Sequence, residues 1–97
     1  MNFTEKDLKW LAGKGFVKIE SAPGHVYYSL LSSPYKVSVF REEGYFVEIG
    51  WTDEDLSARG GGGTLKEAVS SAVRLFKEAL TEIRKDAIGA VKMLGGR

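Results

Sequence analysis

Three short stretches hold the residue types that could do chemistry. Arg59-Gly60-Gly61-Gly62-Gly63-Thr64 runs into a helix start, where free backbone N–H groups and the helix dipole could hold an anion between Arg59, Gly63 and Thr64. The P-loop lysine is missing, and four consecutive glycines read more simply as a mobile linker. Thr52-Asp53-Glu54-Asp55 gathers three carboxylates that could draw Mg²⁺ or serve as an acid–base pair, but EF-hand spacing does not follow, and an exposed acidic turn is the simpler reading. His25, beside the Pro23-Gly24 turn, is the one histidine and reads as a solvated hairpin tip. With no cysteine, thiolate nucleophiles and zinc–thiolate sites are excluded. The expectation is a non-enzymatic protein with no catalytic residue, no metal and no cofactor.

The elements that must position any site come from a 97-residue chain, expected to be one domain over 1–97. Apolar residues at 43% and charged residues at 28% suit a globular domain and exclude a disordered or collagen-like chain. A net charge of +1 lacks the basic footprint of a dedicated nucleic-acid binder. No apolar run reaches the ~18–20 residues of a membrane span, and the first residues lack the pattern of a signal peptide, so no membrane association and a cytoplasmic location are expected.

Thr4 with Asp7 three residues on predicts a capped helix over 5–12, closed near Gly13-Lys14-Gly15 and stapled by Phe3 on Leu8. Period-two alternation then predicts strands at about 16–20, 26–31, 35–41 and 45–51. A three-residue loop at Glu42-Glu43-Gly44, with Gly44 left-handed, sets Val39 against Val47, Val37 against Ile49 and Phe40 against Phe46. A four-residue turn from Leu31 to Pro34 sets Leu30 against Tyr35 and Tyr28 against Val37. Closure at Pro23-Gly24 sets Ile19 against Tyr28 and Val17 against Leu30. These registers put Val17, Ile19, Val26, Tyr28, Leu30, Tyr35, Val37, Val39, Val47, Ile49 and Trp51 on one inner face. After a mobile loop over 52–63, the capping box Thr64-Leu65-Lys66-Glu67 opens a helix over 65–94 whose apolar stripe covers that face. The fold class is thus α+β: a short N-terminal helix, a four-stranded antiparallel meander and a long C-terminal helix on one sheet face, in the order α-β-β-β-β-α.

Two features remain. The outer face carries Phe16, Tyr27, Leu31, Phe40 and Phe46 among Lys18, Glu20, Ser29, Lys36, Ser38 and Glu48. Either it recognises a partner through Tyr27, Phe40 and Phe46 with Lys36, Glu48 and Arg41, or the first helix covers it with Leu8 and Leu11. A protein is the expected partner; the alternative is RNA or single-stranded nucleic acid stacked on the rings, with Lys18, Lys36 and Arg41 meeting phosphates. The long helix also outruns the sheet. Its excess, with Ile83, Ala87, Ile88, Val91 and Leu94, must bend near Gly89, pack on the first helix or form the seam of a homodimer.

The strand Tyr35-Lys36-Val37-Ser38-Val39, the turn with Gly44-Tyr45, the strand Phe46-Val47-Glu48-Ile49 and the helix start Gly63-Thr64-Leu65-Lys66-Glu67-Ala68 together resemble the hairpin-plus-helix core of HicB-type antitoxins over residues 35–80. That family's loop with proline and cysteine is replaced here by Trp51 to Gly62, and no C-terminal DNA-binding motif follows. The resemblance implies a small protein that works by masking another macromolecule, as phage-encoded anti-defence inhibitors, anti-CRISPR proteins among them, also do.

Overall fold

A computed structural model describes residues 2–32, 34–54 and 56–93, with side chains described as far as residue 85 except that of residue 54. The fold is α+β. Helix α1 (Glu5–Lys14) leads into strands β1 (Val17–Ala22), β2 (His25–Ser32), β3 (Tyr35–Arg41) and β4 (Tyr45–Trp51). A short 3-10 turn (Thr52–Glu54) then precedes a fifth strand, β5 (Leu56–Gly62), and helix α2 (Leu65–Met93). The strands form one antiparallel meander in the order β1-β2-β3-β4-β5.

The expectation of four strands and a loop over 52–63 is therefore corrected to five strands. Glycine has low intrinsic strand preference, and a run of it normally signals a linker. Here the missing side chains are what the packing requires. Every residue of β5 pairs with β4, from Trp51 opposite Leu56 to Tyr45 opposite Gly62. A Cβ at Gly60 would lie 2.2 Å from the Ala72 nitrogen, and one at Gly62 would lie 2.6 Å from Glu67 Cβ. The helix answers with its own small residues, since Ala68 and Ala72 are fully buried. On the opposite face, the Phe46 ring comes within 3.1 Å of the place a Gly61 side chain would take, a cover of the kind aromatics give to strand glycines.

The β3–β4 hairpin has the expected register, with Val37 opposite Ile49, Val39 opposite Val47 and Phe40 opposite Phe46. Gly44 is not in the left-handed region, however; among the glycines of the described residues only Gly15 and Gly24 have positive φ, at 91° and 78°. Gly44 is instead closely approached by β5: a Cβ there would sit 3.1 Å from the Gly62 carbonyl oxygen, a tight contact. Between β2 and β3 the chain turns more tightly than expected, placing Tyr28 opposite Val39 and Leu30 opposite Val37. This turn is held by Thr52, whose N–H and hydroxyl both donate to the Pro34 carbonyl, at 3.0 and 3.1 Å. The shift is by two residues, so every side chain keeps its expected face.

Between β1 and β2 the shift is by one. Ala22 pairs with His25 as the Pro23-Gly24 closure predicts, but an irregularity between Glu20 and Ala22 absorbs a residue, and beyond it Ile19 faces Tyr27 and Val17 faces Ser29. A bulge of this kind reverses parity. Val17 and Ile19 therefore lie on the outer face, and Lys18, expected there, shares the inner side with Tyr28. Phe16 likewise packs against the core instead of standing outward.

Both helices lie on the inner side. Leu11, Val39, Tyr45, Val47, Leu65, Ala68 and Ala72 form the buried cluster, with Phe3, Phe16, Tyr28, Val37, Ile49 and Val69 packed around it. Helix α1 is capped as expected: Thr4 and Asp7 exchange hydrogen bonds of 3.1 Å, and left-handed Gly15 closes its end. Phe3 packs edge-on to Tyr28 with ring centroids 5.1 Å apart. The helix is latched to the sheet by the Tyr45 hydroxyl, which donates to Asp7 Oδ2. Burial pushes the Asp7 carboxyl up, but the hydrogen bonds from Tyr45 and Thr4 and the nearby Arg41 charge outweigh it and hold the group below its ordinary value. The Tyr45 phenol is raised, by its hydrogen bond to Asp7 first and by burial second.

Two predictions follow from this packing. Gly60→Ala should cost about 2–3 kcal/mol and lower the melting temperature by roughly 10–20 °C, because the helix backbone leaves no room for a methyl, whereas Gly63→Ala, with open space to 4.0 Å, should melt like the parent. Thermal denaturation followed by circular dichroism checks both. Tyr45→Phe should cost about 1–2 kcal/mol at neutral pH. Because the folded Asp7 pKa is depressed, its contribution is full above the unfolded value near pH ~4 and is lost as pH falls through the lower folded one. Urea titrations at several pH values should therefore show the gap between parent and Tyr45→Phe narrowing only below about pH 4.

Candidate functional site

The most distinctive surface is the sheet face turned away from both helices. Alternation along paired strands brings Ile19, Tyr27, Phe40, Phe46 and Gly61 into one file across all five strands. Beside it runs a second file, Val17, Ser29, Ser38, Glu48 and Arg59. Tyr27 and Phe40 stack with centroids 5.0 Å apart and planes 26° from parallel. The Arg59 guanidinium lies over Phe46 at 4.8 Å and Phe40 at 5.6 Å. Although Arg59 stands directly opposite Glu48 in the register, no ion pair joins them among the described residues. The cation rests on the rings, where a planar guanidinium loses little hydration.

Tyr27, Phe40 and Phe46 are each half-buried. Ser38, between them and Lys36 along the face, is buried, so the rings and their neighbours close over the centre of the sheet while presenting their outer edges. Val17 and Leu31 stand further out, 61% and 69% exposed, extending the apolar surface toward the outer strand β1. The alternative in which α1 covers this face with Leu8 and Leu11 does not hold. Leu11 is fully buried in the cluster on the opposite side, and Leu8 is 37% exposed.

Lys36 and Glu48 fall on this face as expected. Arg41 does not. It shares the inner side with Tyr45, its guanidinium 4.3 Å from that ring, and its Nη1 donates to the carbonyls of Glu42 and Glu43 at 3.1 and 2.9 Å. One strand position separates Arg41 from Phe40, and that step sends the two side chains to opposite faces. Arg59 takes the place on this face expected of Arg41. A loop reading of the glycines puts Arg59 at an anion cradle; paired to β4 as a strand, the same residue falls opposite Glu48.

The anion cradle is not assembled. Arg59 leans on the outer rings, while Thr64 caps α2 by accepting from the Glu67 N–H and donating to Glu67 Oε1, both at 3.1 Å. Of the acidic turn, Asp53 is exposed in the 3-10 segment; the side chain of residue 54 and all of residue 55 lie outside the described residues. His25 is exposed at the start of β2, and its carbonyl accepts from Ser21 Oγ at 3.4 Å. No cluster of metal-ligating side chains occurs among the described residues.

Of the expected seam, Ile83 is 37% exposed. Ala87, Ile88 and Val91 fall within α2, but their side chains, and residue 94 altogether, lie outside the described residues. A recess of about 620 Å³ between the starts of the two helices, lined by Lys6, Trp10, Tyr45, Leu65, Lys66 and Val69, had no sequence signal, because it depends on how α1 leans on α2. No helix among the described residues is long and apolar enough to cross a membrane. In comparisons with protein-family models, curated proteins and solved structures, none matches this chain.

Proposed function

We propose that this protein is a non-enzymatic binding module that inhibits or masks a protein partner, docking through the outer aromatic face. Tyr27, Phe40, Phe46 and Arg59 form the centre of the contact, with Lys36 and Glu48 at its rim and Val17, Ile19 and Leu31 leading to the edge strand β1. The observation that carries this reading is the stacked Tyr27–Phe40 pair under Arg59 on a face that neither helix covers. Tyrosine, phenylalanine and arginine are the residues that concentrate binding energy at protein interfaces, and a patch of rings rimmed by both signs of charge suits a protein surface. An edge strand beside it also offers backbone groups to an extended segment of the partner. Steric masking of this kind is how antitoxin-like and anti-defence inhibitors act.

RNA or single-stranded nucleic acid is the second reading, favoured by one observation, the arginine lying over exposed ring edges, which could stack with bases. It is weakened by the cations. Of Lys18, Lys36 and Arg41, only Lys36 falls on the aromatic face, so no continuous track for phosphates accompanies the rings.

The experiment must separate contact from packing, since Phe46 also covers Gly61. The double variant Tyr27→Ser with Arg59→Glu should lower affinity for the captured partner at least tenfold while keeping the circular dichroism spectrum of the parent and lowering the melting temperature by less than Phe46→Ser does. Phe46→Ser should lower both affinity and stability. If the first variant binds as well as the parent, the face is not the docking surface. Oligonucleotide binding that falls steeply between low and physiological salt would favour the nucleic-acid reading, and no mobility shift at low salt would remove it.

A further inference from the structure

The monomer exposes too much surface for its size. A folded chain of 10.7 kDa ordinarily exposes about 5,500 Å². This one exposes 7071 Å². Its radius of gyration is 16.4 Å, against roughly 12.5 Å for a compact domain of this length. The excess, about 1,500 Å² per chain, is ample for a stable interface, which needs on the order of 800 Å² from each partner.

The source of the excess is α2. At about 1.5 Å per residue its 29 residues reach about 43 Å, nearly twice the ~23 Å of a seven-residue strand, and the molecule is 55 Å long but only 23 Å across. The helix neither bends back nor ends with the sheet. Phe76 is the last buried residue of α2 among those whose side chains are described, meeting Tyr35 edge-on at 6.3 Å. Ile83 stands eighteen residues after Leu65, five turns at 3.6 residues each, and so points to the same side as the sheet-facing residues, yet it is 37% exposed because the sheet has ended.

The spacing of α2 also carries a second pattern. Val69, Val73, Phe76, Leu80, Ile83, Ala87 and Ala90 alternate steps of four and three, the heptad seam of a helix made to lie along another helix. Over the first half, the sheet lies beneath Leu65, Ala68, Ala72 and Phe76, while Val73, 37% exposed, stands at the margin of that cover. Past Phe76 the described side chains on this side lose that cover, Ile83 being 37% exposed, and a helix would fit the layer, since helices pack 8–10 Å apart.

We propose that the occupant is a second copy of this chain, its α2 overhang antiparallel to the first. A seam of one repeating type is complementary to itself, and the surface needing cover matches what a symmetric dimer would bury. The direction is set by sterics. Each sheet lies on the seam side of its own helix, so parallel partners would drive two sheets into the same space, whereas antiparallel overhangs place the sheets at opposite ends. Each overhang then continues the layer formed by the other copy's sheet, ending near Tyr35 and Trp51 at that sheet's rim. The outer aromatic faces stay uncovered, so the dimer would present two of them.

Light scattering coupled to size exclusion tests the occupant. The expected mass is twice 10.7 kDa across a hundredfold range of concentration, falling to 10.7 kDa for Ile83→Lys with helical content retained. A parent that stays monomeric throughout overturns the proposal and leaves the excess surface to a different protein. An Ile83→Lys variant that remains dimeric overturns the seam. Because the chain has no cysteine, spin labels on single cysteines at Ser70 and Lys85 read the direction. Antiparallel overhangs crossing near their middle put the Lys85 labels close together and the Ser70 labels about 45 Å apart. Equal short distances at both positions would mean a parallel pair and contradict the arrangement. Neither measurement involves the aromatic face, so its outcome is independent of the docking reading.

Discussion

The contact on which the rest of this fold depends is between two backbones. At Gly60 and Gly62, β5 approaches α2 so closely that a single methyl group has no place, and the helix meets it with Ala68 and Ala72. Hydrophobic burial is smaller here than in a contact between large side chains, because there are few apolar atoms to bury. Close backbone approach gains instead from dense van der Waals contact, and from a strand with almost no side-chain entropy to lose. The cost is the backbone freedom of the glycines, which only the β4 ladder on one side and the helix above can offset.

This contact determines what the two faces can be. With α2 seated on β5 and β4, and α1 latched by Tyr45 and Asp7 over the same side, all of the helical cover is spent on one face. The other must stabilise itself. It does so by stacking Tyr27 on Phe40, laying Phe46 over Gly61 and resting Arg59 on the rings. Such a face is at once a minimal outer layer of the fold and a surface of the composition proteins use to recognise one another. Phe46 shows the overlap most clearly, being both the lid of a glycine and a member of the proposed contact.

Much of this was legible in the sequence wherever one physical signal acted alone. The Thr4–Asp7 and Thr64–Glu67 caps were readable because a capping box has a fixed spacing, and the β3–β4 register because only one loop length matches apolar residues to apolar residues. Tyr27, Phe40 and Phe46 share a face for the same reason. What was hidden depended on distant contacts. The glycines of β5 have the composition of a linker, and only the helix lying against them makes them a strand. The irregularity at Ser21 has no compositional mark, yet it reverses Val17, Ile19 and Lys18. Arg59 is consequently expected in a loop although it stands in a strand, and Arg41 is expected on the outer face although its strand parity is available in the register.

Amide hydrogen exchange read residue by residue is the most direct test of the central claim. If β5 is clamped between the β4 ladder and α2, the amides of residues 56–62 that bond to β4 should exchange as slowly as those of Val39 and Val47, opening only with the whole domain. Exchange of residues 60–62 at the rate of an unstructured chain, while β3 and β4 remain protected, would show a glycine linker in place of a strand and would contradict the account.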